Sequence, residues 1–152
     1  MNNPILIAVD AMGGDNSPDK VIKGVPIHSR SSKDVNYKIF GDKNLIEPLI
    51  SRHKILSHRI EIRHTPNFVH GEDSALAAAK RGKDTSLWLS IESLKTNEAD
   101  AVVSAGNTGA LFVIAKLNLQ MIDNIEGLSY KRVMLHYNFP SFCVGEARGK
   151  FS

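Results

Sequence analysis

Short unbroken apolar runs alternate along this chain with stretches in which apolar residues recur every three or four positions, and turns rich in glycine, aspartate or asparagine separate the two patterns. Ile5 to Val9 is one such run, closed by Asp10, and reads as a strand buried on both faces. Tyr37-Lys38-Ile39-Phe40-Gly41 predicts a second strand ended by glycine. Arg59 to His64 alternates, with Ile60 and Ile62 on one side, and predicts a third strand nearer an edge. Ala101-Val102-Val103, leading into Ser104, predicts a fourth.

The intervening segments carry the helical period. Ser17 as N-cap with Pro18 at the first helical position predicts a helix with Val21, Ile22 and Val25 on one face, stopped or kinked at Pro26. Asn44 to His53 predicts a helix despite Pro48, and the alanine-rich stretch Glu72 to Arg81 another, ended by Gly82. From Thr85, the spacing of Leu87, Trp88, Ile91 and Leu94 predicts a core-facing helix with Trp88 buried. Thr108 to Ile122 is apolar on most sides, which demands burial between other elements or leaves apolar surface exposed. Alternation of strand and helix implies an α/β fold: a mostly parallel sheet with helices on both faces. After Asp123 the periodicity fails, which divides the chain into an α/β portion, residues 1–123, and a tail, residues 124–152. Within the tail only the patch Tyr130 to Tyr137 reads as a strand, and the remainder receives no fold.

Two of the turns carry candidate chemistry. In Ser104-Ala105-Gly106-Asn107-Thr108-Gly109-Ala110, the glycines permit unusual backbone angles and Asn107 or Thr108 caps the following helix. The unpaired N–H groups of that helix's first turn then face outward at the end of a parallel strand, where a phosphate fits. The spacing matches neither the Gly-x-x-x-x-Gly-Lys nor the Gly-x-Gly-x-x-Gly pattern, and Ser104 lacks the setting of a hydrolase nucleophile. A purely structural glycine turn is the competing interpretation. The earlier turn, Asp10-Ala11-Met12-Gly13-Gly14-Asp15, places Asp10 and Asp15 where open α/β sheets bind ligands. These acids either contact a ligand or bond to backbone N–H groups and shape the turn.

Composition narrows the class. The chain has 152 residues, 42% hydrophobic and 23% charged, enough for one ordinary globular domain. Its net charge of +3 comes without a basic tail, which argues against a nucleic-acid partner. The basic excess between Lys43 and Lys83 suits an acidic partner or an anionic membrane surface. A single cysteine, Cys143, suits a reducing compartment, and the scattered histidines show no zinc spacing. Neither a signal peptide nor an apolar window near the ~20 residues of a membrane span is found, so a cytoplasmic location is expected.

Taken together at this separation, the two loops resemble the phosphate acyltransferases of bacterial phospholipid synthesis, the PlsX family. The likeness extends to the strand end Phe40-Gly41-Asp42 and, more loosely, to the basic segment Lys80 to Ser86, and runs from about Ile5 to about Asp123. It implies a three-layer α/β/α sandwich related to phosphotransacetylases and isocitrate-dehydrogenase-like enzymes. It further implies a homodimer that moves a fatty acyl group from acyl carrier protein to inorganic phosphate, making acyl phosphate for a glycerol-3-phosphate acyltransferase. No metal or organic cofactor is implied, and peripheral contact with the inner face of the membrane is compatible with the basic surface. Carried over onto matching positions, the phosphate and substrate contacts fall to Asp10, Gly13, Gly14 and Asp15 in the first loop. In the second they fall to Ser104, Gly106, Asn107, Thr108 and Gly109. Their implied role is binding and positioning; the residues usually proposed for the chemistry lie in a part of the family that this chain does not match. Family members are about twice as long, and Pro26 falls where they continue a helix. The expectation is therefore a truncated or frameshifted member, with an inactive binding fragment and another phosphate- or nucleotide-binding α/β protein as the alternatives.

Overall fold

The computed structural model describes residues 4–53, 58–119, 133–135 and 143–146. Its strands are β1 (Ile5–Asp10), β2 (Val35–Gly41), β3 (Ile60–His64), β4 (Ala101–Ser104), β5 (Val133–Leu135) and β6 (Cys143–Glu146). Its helices are α1 (Asp19–Ser31), α2 (Lys43–Ile50), α3 (Ala75–Lys80), α4 (Ser86–Lys95) and α5 (Thr108–Asn118). The sheet runs β3-β2-β1-β4-β6-β5. The first four strands pair in parallel, and β6 and β5 extend the sheet in antiparallel fashion beyond β4.

Strand alternation sends successive side chains to opposite faces, and each face buries its own cluster. Ala8, Phe40 and Val102 pack with Leu87, Trp88, Ile91 and Leu94 of α4 and with Leu111 and Ile114 of α5. On the reverse face Val9, Val35, Tyr37 and Ile39 pack with Ile22 and Val25 of α1 and Ile46 of α2. The result is the three-layer α/β/α arrangement with a mostly parallel sheet. Trp88 is buried, and β3 lies at the sheet edge, as the sequence pattern requires.

Two local expectations fail. Pro26 does not stop the helix, since α1 runs through it to Ser31. One missing N–H is a local loss, and burial of Ile22, Val25 and Pro26 itself against the sheet offsets it. Nor does Ser17 cap α1: the cap position is Pro18, with no side-chain bond, and the Ser17 hydroxyl donates back to the Gly13 carbonyl. That bond closes the first glycine loop on itself.

The predicted helix from Thr108 is observed as far as Asn118; positions 120–122 lie outside the described residues. Leu111, Ile114 and Ala115 are buried, whereas Leu117 is 62% exposed. Of the tail, Val133–Leu135 forms a strand inside the Tyr130 to Tyr137 patch. Cys143–Glu146, for which the sequence showed no period, is also a strand.

Candidate functional site

Because β1 and β4 are adjacent and parallel, both glycine loops leave the same edge of the sheet, with Asp10 directly opposite Ser104. Asp10 is 2% exposed, and its carboxylate is occupied within the protein. Ser86 Oγ donates to Oδ1 at 2.7 Å, Ser104 Oγ donates to Oδ2 at 2.8 Å, and the Met12 N–H approaches Oδ1 at 3.3 Å. Burial pushes the Asp10 carboxyl above the ordinary carboxylate range, opposed by the Ser86 and Ser104 hydroxyls and by the N–H groups of Met12 and Gly13. The acid therefore shapes the loops from behind.

The loops touch through residues without side chains. A Cβ on Gly13 would lie 2.6 Å from Asp10 Oδ2 and 3.0 Å from both the Gly106 nitrogen and Ser104 Oγ. Gly14 has φ +90°, and a Cβ there would run into the Ala105 carbonyl oxygen. Only glycine allows this approach and this backbone angle together. Ser104, itself buried, accepts from the Gly106 N–H at 3.2 Å while donating to Asp10, so a continuous set of hydrogen bonds runs from β1 to the second loop.

Asn107 is the cap of α5: its Oδ1 accepts from Ala110 N–H at 2.9 Å. Its amide donates to the carbonyls of Gly71 (3.0 Å) and Asp73 (2.7 Å), fastening the loop that precedes α3. Leu111 N–H bonds to the Asn107 carbonyl. The N–H groups of Thr108 and Gly109 have no acceptor among the described residues, and both residues are exposed at the first turn of α5. The helix dipole adds partial positive charge at that point. Asp15 is exposed. Of the nine residues singled out by sequence, Asp10, Gly13 and Ser104 form the buried seam, half-buried Gly106 and Asn107 lie beside it, and Gly14, Asp15, Thr108 and Gly109 are open to solvent.

Sequence reasoning did not single out Ser86 as a site residue. It stands 76 positions from Asp10, yet bonds to it. The available signal was the doubled hydroxyl Thr85-Ser86 at a helix start, where one cap suffices; Thr85 is that cap, accepting from Trp88 N–H. The basic segment is partly committed elsewhere, because Arg81 pairs with Asp73 and Lys83 Nζ lies 5.9 Å from the centre of the Trp88 ring. Among the described residues no cluster of metal-ligating side chains occurs, and no helix is long and apolar enough to cross a membrane.

A family profile described as fatty acid synthesis protein matches residues 5–139, continuing past Asp123. A phosphate acyltransferase of Pelagibacter ubique is 54% identical over 126 residues, covering 83% of this chain and 37% of that protein. Those of Rhodospirillum rubrum and Parvibaculum lavamentivorans are 45% and 43% identical, over 83% of this chain and 36% and 35% of theirs. The chain thus spans little more than a third of the length of these relatives. With the profile covering most of its residues and this identity over 83% of its length, the chain belongs to the fatty acid synthesis protein family, whose curated relatives are named phosphate acyltransferase.

Proposed function

We propose that the site serves acyl transfer to inorganic phosphate: phosphate is held at the glycine loops, and a fatty acyl group reaches it from the thioester of acyl carrier protein. A phosphate oxygen attacks the thioester carbonyl carbon, the C–S bond breaks, the carrier thiol leaves with a proton, and a mixed carboxylic–phosphoric anhydride remains. The observation that carries this reading is the meeting of Gly13 and Gly106 beside the free N–H groups of Thr108 and Gly109, on a chain of this family. Backbone N–H groups at a helix start suit an oxyanion of phosphate, and they orient it without a competing side chain. Sealed behind Gly13 and bonded by two hydroxyls, Asp10 presents no free carboxylate to repel that anion.

In this reading the site residues bind and position, and attack comes from phosphate itself. Acyl carrier protein, being acidic, suits the basic surface, and the acyl phosphate passes to a glycerol-3-phosphate acyltransferase. The working form is a cytoplasmic homodimer with peripheral membrane contact through basic residues. The test combines the chain with acyl carrier protein thioester and phosphate, traps acyl phosphate with hydroxylamine, and titrates phosphate against NAD and ATP by calorimetry. Product, with phosphate preferred, supports the reading; tighter NAD or ATP binding refutes it.

A second reading, a fragment that binds without turnover, draws on one observation. An apolar hollow of about 330 Å³ stays open between α1 and strands β1 and β4, lined by Ile7, Val9, Val21, Val25 and Val103. Phosphate binding without product, together with strong uptake of an apolar dye, would favour it.

A further inference from the structure

We propose that Ser86 is a positioning residue of the glycine-loop site, acting through Asp10 to set the spacing of Gly13 and Gly106. The inference rests on the phosphate reading for its functional consequence and on geometry for the rest.

Ser86 is 1% exposed and opens α4, but it does not serve the helix as its cap. Its N–H bonds to the Asn67 carbonyl at 2.9 Å, and its hydroxyl leaves the helix to reach Asp10. The other buried serines of α4 behave differently: Ser90 Oγ donates to the Leu87 carbonyl and Ser93 Oγ to the Ser90 carbonyl, both within the helix. Ser86 is thus the serine of that row whose hydroxyl reaches the sheet edge.

Its effect follows from how the carboxylate is held. Each oxygen of Asp10 has its own hydroxyl donor, Ser86 on Oδ1 and Ser104 on Oδ2, which fixes the plane of the group. Oδ2 is also the atom nearest the place where a Gly13 Cβ would be, and Ser104 Oγ is the acceptor for Gly106 N–H. Without the Ser86 hydroxyl, Oδ1 loses its shortest donor and keeps the longer Met12 contact, and the carboxylate rotates toward Ser104 or toward Gly13. Either movement changes the gap between the two loops. Ser86 also carries the position of a third segment into the site. Thr65 Oγ1 donates to the Asp84 carbonyl, and Asn67 Nδ2 donates to Asp84 Oδ2 at 2.6 Å, so residues 65–67 and 84–86 are tied to each other by hydrogen bonds.

The experiment compares Ser86→Ala, Ser86→Cys and Ser90→Ala in the full chain, with two readouts. One is inorganic phosphate affinity by calorimetry; the other is amide hydrogen exchange at Gly13 and Gly106 by NMR. For Ser86→Ala, phosphate binding should weaken about tenfold, the value of one hydrogen bond to a charged group. Exchange at both glycines should accelerate while the rest of α4 stays protected. Ser86→Cys, a weaker donor of similar shape, should fall between Ser86→Ala and the unmodified chain. Ser90→Ala should lower the unfolding midpoint and leave both readouts unchanged. If Ser86→Ala leaves glycine exchange unchanged, or changes it no more than Ser90→Ala does, the positioning role is overturned. Should the unmodified chain fail to bind phosphate, the functional reading fails, and the exchange data still decide for or against Ser86 as the residue that sets the loops.

Discussion

Two charges are buried on the same face of the sheet, on neighbouring strands, and they are satisfied in opposite ways. Asp10 on β1 and Lys38 on β2 are 2% and 5% exposed, and the register that pairs Asp10 with Phe40 pairs Ala8 with Lys38. Lys38 Nζ has charged partners: Glu98 at 2.9 Å and Glu61 at 3.7 Å, both half-exposed, with Arg63 joining Glu98 at 3.2 Å. Among the described residues Asp10 has no cation as a bonding partner, only hydroxyls and backbone N–H groups. A buried cation tied to carboxylates at the β3 edge holds that edge. A buried acid with no countercharge among the described residues, held between two serine hydroxyls behind Gly13, is a local cost that a stability argument alone does not explain, and such costs gather at functional sites.

The largest expected effect breaks the Asp10 side of this contrast. Gly13→Ala places a methyl group against Asp10 Oδ2, Ser104 Oγ and the Gly106 nitrogen, of which none belongs to a flexible chain end. Overpacking of this kind should cost about 3 kcal/mol, read as a lowered urea midpoint, and should abolish phosphate binding.

A paired substitution tests the contrast directly. Asp10→Asn keeps shape and removes the cost of a buried charge, but it turns an amide donor toward one of the two serine hydroxyls. Stability should change by about 1–2 kcal/mol in either direction, while phosphate binding falls about tenfold. Lys38→Met removes a buried cation whose partners water can solvate, so stability should stay within about 1 kcal/mol and phosphate binding should be unaltered. Equal losses of binding in both variants would erase the distinction between the two charges.

Acidity separates the same two places. The folded-state pKa of Asp10 is raised by burial, so its contribution to stability is full below the unfolded value of 3.8 and declines as pH rises through the folded value. That of Glu98 is lowered, first by the hydrogen bond from Lys38 and then by its charge. Its contribution is present above the unfolded value of 4.5 and is lost as pH falls through the folded one. Urea unfolding between about pH 3 and pH 7 should therefore respond in opposite senses: Asp10→Asn flattens the decline on the rising side, and Glu98→Gln removes part of the acid loss. Identical profiles for the two variants would overturn the opposite assignments, burial at Asp10 and the Lys38 bond at Glu98.

What the sequence made legible follows from locality. Strand ends, glycine turns and caps are written within a few residues, and a cap at Asn107 or Thr108, the ends of β1 and β4 and the edge position of β3 follow from neighbours in the chain; the fold selects Asn107. Pro26 was misleading because a local preference met tertiary burial, and burial won. Ser17 was misleading because its hydroxyl had a competing acceptor, the Gly13 carbonyl, that only the folded loop supplies. Ser86 and the Lys38–Glu98 pair join residues 76 and 60 positions apart, and no periodicity encodes such a meeting. The sequence left Asp10 as either ligand contact or turn-former; its burial, which favours the second role for its own carboxylate, depends on the helix layer that holds α4.

The smallest effects lie at the helix caps, where a final pair sharpens the comparison of site and edge. Asp42 caps α2 near the end of β2, accepting from Asn44 N–H at 2.9 Å. Asp42→Ala should cost about 1 kcal/mol, and among the described residues no hydrogen bond of the Asp42 side chain reaches the glycine loops. Asn107→Ala removes a cap of the same kind and, in addition, both amide bonds to the carbonyls of Gly71 and Asp73. Its stability loss should exceed that of Asp42→Ala by no more than about 1 kcal/mol, since the bond to Gly71 is exposed to water and the one to Asp73 only part-buried. Phosphate binding should separate the two variants far more than urea does, because only Asn107 sets the first turn of α5, where Thr108 and Gly109 offer their N–H groups. If both caps lower phosphate affinity in proportion to stability, the first turn of α5 is an ordinary helix start and the anion belongs elsewhere.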